Sequence, residues 1–159
     1  MTIPEKIISG AQTGVDRAAL DVALELGLAI GGWIPLGRRA EDGRIPARYR
    51  GLLETDSAEY GRRTEWNVRD SDATVIFSRG APAGGTALTA SAAATHGKPL
   101  ITLDLDACTF GEALVRLQEF LVESRPRVLN IAGPRESEAP EIGLKVSRIM
   151  REVLHPPLD

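Results

Sequence analysis

The chain has 159 residues, 43% hydrophobic and 26% charged, with 19 basic residues against 22 acidic ones for a net charge of −3. That is enough chain for one core of ordinary size, too apolar for a disordered segment, and too acidic for a protein that coats nucleic acid. No apolar run approaches the roughly 20 residues that cross a bilayer, Pro4 and Glu5 interrupt a secretory-type leader, and the single Cys108 excludes an internal disulfide.

In chain order, Lys6–Ser9 reads as a short strand ending in a Ser-Gly-Ala-Gln-Thr-Gly turn. Val15, Ala19, Val22 and Leu26 then recur at helical spacing, and Gly27 sits where that helix would stop. Ala29–Pro35 is a second, glycine-rich strand. Residues 36–60 carry no period and are expected to form a long irregular excursion. A helix is predicted over about Arg62–Asp70, a buried strand over Ala73–Ser78, and a helix of very small residues over Gly85–Thr95, closed by Gly97. Pro99–Leu103 gives a fourth strand, Phe110–Glu123 a helix, and Val128–Ala132 a fifth strand. A last helix places Ile142, Val146, Ile149 and Val153 on one face.

Repeated β-α units with near-continuous apolar strands imply a parallel sheet covered on both faces. The expected architecture is therefore α/β, a single Rossmann-like doubly wound domain over residues 1–159 with five parallel strands. The strand order 2-1-3-4-5 is favoured, with 3-2-1-4-5 second. Ligands of such folds bind beyond the carboxyl ends of the strands, so the turns that follow the strands are the candidate site.

Three of those turns are glycine-rich. The first contains Ser9, Gly10, Ala11, Gln12, Thr13, Gly14 and Asp16. Its glycines allow close backbone approach, and the following helix would aim free amides at a ligand. Alternatively Thr13 only caps the helix, with Asp16 as its return partner. The second turn is Gly84-Gly85-Thr86, whose glycines serve either a ligand or close packing. The third runs from Asn130 through Gly133 to Arg135, an amide on an apolar strand followed by a guanidinium fork, or else a simple turn. In the favoured order the first and third strands are neighbours, and the fifth lies about 10 Å from the third. A ligand reaching all three turns would be extended and anionic at one end, which points to a phosphorylated small molecule. Neither the phosphate loop G-x-x-x-x-G-K-[ST] nor G-x-G-x-x-G occurs, so hydrolysis of nucleoside triphosphates and standard dinucleotide binding are not expected.

Five blocks carry a family resemblance: Gly10–Asp21, Gly31–Gly43, Thr64–Thr74, Gly84–Thr89 and Asn130–Ser137. They follow in order across nearly the whole chain, and the sequence resembles the molybdenum cofactor carrier family. That family is similar to a wider Rossmann-like superfamily that includes cytokinin-activating phosphoribohydrolases and DNA-processing proteins. The resemblance implies a phosphate-bearing guest, molybdenum cofactor of the molybdopterin type, held as cargo without chemistry.

The phosphoribohydrolases carry a glutamate shortly after the second glycine motif. Here Ala87, Leu88, Thr89, Ala90 and Ser91 follow it, so the acid/base group is missing at that position. This favours a carrier over an enzyme, and no catalytic residue is assigned. The alternatives are a nucleotide-processing enzyme such as an N-glycosidic phosphoribohydrolase, using Asp16, Glu41 or Asp70 instead, and a nucleotide-sensing module. Within residues 38–69, eight arginines and six acids make Arg38 and Arg39 candidates for a lid over the ligand, against a plain salt-bridged surface. His96 and His155 are too distant in sequence to suggest a metal site, and no other cofactor is indicated. The expected partners are the phosphorylated ligand, a second copy of the chain in a homo-oligomer, and molybdoenzyme recipients, with no nucleic acid or membrane; the expected compartment is the cytoplasm.

Overall fold

Each apolar run of the sequence becomes a strand of one parallel sheet. In the computed structural model, which describes residues 3–155, the elements are β1 (Lys6–Ile8), α1 (Val15–Glu25), β2 (Ala29–Ile34), β3 (Arg39–Ala40), β4 (Gly43–Arg44), β5 (Leu52–Glu54), α2 (Tyr60–Arg69), β6 (Ala73–Ser78), α3 (Gly84–His96), β7 (Leu100–Asp104), α4 (Phe110–Ser124), β8 (Val128–Ala132) and α5 (Ile142–Leu154). The main sheet has six strands in the order β5-β2-β1-β8-β6-β7, every pair parallel.

Two expectations are corrected. The sheet has six strands rather than five, because Leu52–Glu54 inside the excursion pairs with Gly32–Ile34 as an edge strand. The order of the five anticipated strands is 2-1-5-3-4, neither 2-1-3-4-5 nor 3-2-1-4-5. The last strand enters the middle: Ile8 and Thr74, on either side, both align with Asn130. Burial explains the choice. Leu129, Asn130 and Ile131 of β8 are buried, whereas β7 buries only Leu103 and takes the edge.

The favoured winding nevertheless survives in a rotated form. Counting from β6 and passing from α5 on to β1, the sheet read from β7 becomes 2-1-3-4-5-6. The chain is therefore a doubly wound domain cut at a different place, with its topological switch between β6 and β8.

Helices cover both faces. α1, α4 and α5 pack on one side around Val15, Val22, Leu117, Leu121, Ile142, Val146 and Met150. Ala73, Val75 and Phe77 of β6 point into this core, so Thr74, Ile76 and Ser78 face the opposite side. There α2 packs against α3 through Val68, Ala92 and Ala93. The excursion is folded rather than loose, for Tyr49, Ile45 and Ala40 share a small core with Leu20 and Ile34. Among the described residues no helix is long and apolar enough to cross a membrane.

Candidate functional site

A cleft with about 190 Å³ of free space opens above the carboxyl ends of β1, β8 and β6. Because β8 lies between β1 and β6, the three glycine turns sit on consecutive strands and close on one place. Gly10, Gln12 and Asp16 line the cleft from the first turn, Gly84, Gly85 and Thr86 from the second, and Asn130, Gly133 and Arg135 from the third. The fourth wall is α2, through Tyr60, Arg63, Thr64 and Asn67.

The first turn spends three of its amides internally. The Ala11 amide donates to Ser9 Oγ at 3.2 Å, the Gln12 amide to Asp16 Oδ2 at 3.2 Å, and the Thr13 amide to Gln12 Oε1 at 3.1 Å. The α1 amides of Val15 and Arg17 donate to the carbonyls of Pro134 and Gln12. Thr13 does not cap the helix: Gly14 is the cap residue, and Thr13 Oγ1 accepts instead from the Glu136 amide at 3.1 Å. Ser9, Ala11, Thr13 and Gly14 therefore build the floor and do not line the cleft. Gly14 is fixed by the protein itself, since its φ is +80° and a Cβ there would lie 2.7 Å from the Pro134 carbonyl oxygen.

The second turn is the opposite case. No side chain caps α3, and Ala83 ahead of it is extended. A Cβ on Gly84 or Gly85 would meet nothing within 4 Å. Gly84, at φ +53°, has a backbone reason to be glycine; Gly85 has neither that reason nor a packing one. The helix end and its partial positive charge face open space beside it.

Charge enters from the floor. Arg63 is 11% exposed and Asp16 7%, with Arg63 Nη1 3.9 Å from Asp16 Oδ2 and donating to the Gly10 carbonyl at 2.6 Å. Burial pushes the Asp16 carboxyl up to about 6, against the opposing pull of Arg63, the Gln12 amide and Arg17. Burial also pulls Arg63 below its ordinary value, while Asp16 raises it. Asn130, buried on β8, reaches Thr74 Oγ1 at 3.3 Å, and Asn67 both accepts from and donates to the Trp33 backbone, at 2.7 and 3.0 Å.

Neither lid candidate lies over the cleft. Arg38 spends its guanidinium on the carbonyls of Ile45 and Pro46, and Arg39 reaches the cleft only through the rim, 4.8 Å from the Tyr60 ring. The β3–β4 hairpin that carries Arg39 is tied down: Arg17 grips Asp42 with two bonds of 2.6 and 2.8 Å, and Ser137 donates to Glu41. Asp70 is outside the cleft, held by Arg69 and the Trp33 indole.

The rotated strand order agrees with comparison to other proteins. The profile of the circularly permutated YpsA SLOG family matches residues 7–154. The chain belongs to that family. A solved protein of Syntrophus aciditrophicus SB, called a "putative molybdenum carrier protein", is 44% identical to it. The match covers 98% of this chain and 97% of the other, with a TM-score of 0.92. No curated protein matches the sequence.

In this permutated member of the family, the sequence reading missed the whole α2 wall. Tyr60, Arg63, Thr64 and Asn67 fall at spacings of three, one and three, which is one face of a helix. The signal was a polar stripe rather than an apolar one, and a polar stripe ordinarily faces water. It faces inward here because it forms a wall of the cleft. No Cys, His or Met lines the cleft, and among the described residues no cluster of three or more His, Cys, Asp or Glu could hold a metal ion. The donor set is amide, guanidinium, hydroxyl and carboxamide, which suits an oxyanion.

Proposed function

We propose that this protein binds and carries a phosphate-bearing small molecule in the switch-point cleft, and that its cargo is molybdenum cofactor of the molybdopterin type. The observation that carries the reading is Gly85: a glycine required by neither backbone nor packing, at an uncapped helix N-terminus, in the same cleft as a buried guanidinium. A phosphate seated there gains amide donors and a helix end, and it needs the space that a side chain would fill. The lining fits the oxyanion end of such a cargo, and among the described residues the cleft lining includes no thiol or imidazole. The name of the Syntrophus relative supports the choice of cargo. A carrier of this kind would deliver to molybdoenzyme recipients and work in the cytoplasm, and exposed Ser91 and Ala94 on α3 leave room for a second copy to pack closely in a homo-oligomer.

Native mass spectrometry of protein purified from its own host, with molybdenum measured on the same sample, tests this. Retention of a phosphorylated pterin supports the reading, and a different retained species contradicts the cargo.

A second reading rests on one observation. Asp16 lines the cleft with its carboxyl pushed up to about 6, in the range of a general acid. That makes it the candidate for a nucleotide-cleaving enzyme, while Asp70 is outside the cleft. Incubation with nucleoside monophosphates decides between them: release of free base establishes turnover, and intact nucleotide leaves the carrier.

A further inference from the structure

Three guanidinium groups converge on one aromatic ring at the rim of the cleft. The guanidinium carbons of Arg39, Arg63 and Arg135 lie 4.8, 5.2 and 5.5 Å from the Tyr60 ring centroid. They come from three separate parts of the chain: the β3–β4 hairpin, α2, and the turn after β8. Like charges so gathered repel one another, and the electron-rich π face of a single ring is what attracts each of them. Two of the three have carboxylate partners. Arg63 has Asp16 at 3.9 Å, and Arg135 has Glu138 at 3.1 Å and Glu41 at 3.9 Å. Arg39 has no carboxylate within 4.0 Å among the described residues and donates only to the Ala58 carbonyl, at 3.3 Å. Glu138 lines the cleft and its side chain is 58% exposed, so it is the partner most easily displaced.

We propose that Tyr60 is a positioning residue that gathers Arg39, Arg63 and Arg135 into one collar, and that the collar selects a guest carrying a doubly charged phosphate or pyrophosphate group. On entry the anion takes Arg135 from Glu138 and gives Arg39 its missing counter-charge. The buried Arg63 stays on the Gly10 carbonyl and supplies charge from below. The inference rests on the reading of the cleft as a phosphate site and adds the residue that sets its selectivity for charge.

Titration calorimetry with inorganic pyrophosphate at fixed ionic strength tests it, with thermal unfolding as the check on the fold. Tyr60→Leu is expected to weaken binding about tenfold, and Tyr60→Phe, which keeps the ring, to restore it to within about twofold. Glu138→Gln, which removes the competing carboxylate, is expected to tighten binding. If Tyr60→Leu does not fold, Arg39→Gln on the exposed hairpin decides, with an expected loss of about threefold. Equal affinity of wild type and Tyr60→Leu, or of wild type and Arg39→Gln, overturns the collar while leaving the phosphate site standing. Absence of pyrophosphate binding by wild type overturns both.

Discussion

The glycine turns after β1 and after β6 look alike in sequence and do opposite work. The turn after β1 is consumed by the protein: a Cβ on Gly10 would run into the Arg63 guanidinium, one on Gly14 into the Pro134 carbonyl, and its amides are spent on Ser9, Asp16 and Gln12. The turn after β6 is left over, with an uncapped helix end and a Gly85 whose missing Cβ would meet nothing within 4 Å. A strand–glycine–helix junction therefore does not by itself mark a ligand. What sets the second junction apart is a cleft-lining glycine, Gly85, that neither backbone conformation nor packing requires.

The sharpest way to break this contrast is to add a methyl group on each side. Gly14→Ala should cost about 4 kcal/mol in urea unfolding, from the left-handed backbone and the collision with rigid backbone atoms. Gly85→Ala should change stability by less than about 0.5 kcal/mol. Similar losses in both would mean that Gly85 is also structural.

Next in size is the pH dependence of the buried floor. Burial raises the Asp16 carboxyl to about 6 in the folded protein, against 3.8 for an ordinary aspartate. The native state therefore holds this proton more tightly than the unfolded chain, and the stability it contributes below pH 3.8 is lost as pH rises through 6. The loss is up to about 3 kcal/mol. Unfolding of wild type and Asp16→Asn between pH 4 and 7 isolates it, since the carboxylates held low by arginine or amide partners are shared by both proteins. A difference that stays flat across that window would show the floor to be wetter than its burial implies.

The smallest expected effect concerns the hairpin. Asp42→Ala removes the acceptor of Arg17's two-bond grip, a side chain 48% exposed, while leaving Arg17 on the Ala11 carbonyl, and should cost about 1 kcal/mol or less. A fall in ligand affinity no larger than the roughly threefold expected for Arg39→Gln would agree with a hairpin that only holds Arg39 at the rim and does not close as a lid.

Much of this was legible in the sequence, for reasons tied to particular residues. Val15, Ala19 and Val22 announce α1 by spacing alone, and Gly27 and Gly97 end α1 and α3 in the left-handed region, at φ +76° and +63°. Strand order was not legible. Pro99–Leu103 and Val128–Ala132 are equally apolar, and only pairing reveals that the second is central and the first an edge. Leu52–Glu54 has three residues, two of them exposed, so no period could betray β5. At the site, the glycine turns were found because glycine is informative where backbone must approach something. Arg63 was not found, because one arginine among eight in residues 38–69 carries no mark of being buried. Its inward place follows from α2 packing on α3, a contact between distant parts of the chain.

The central claim is most directly tested by comparing wild type with Gly85→Val, both purified from the native host, for the species each retains in native mass spectrometry and for thermal midpoint. A retained phosphorylated pterin in wild type, lost in the variant, with equal midpoints once the wild type is stripped of its ligand, is the predicted result. Equal retention by both proteins would contradict it.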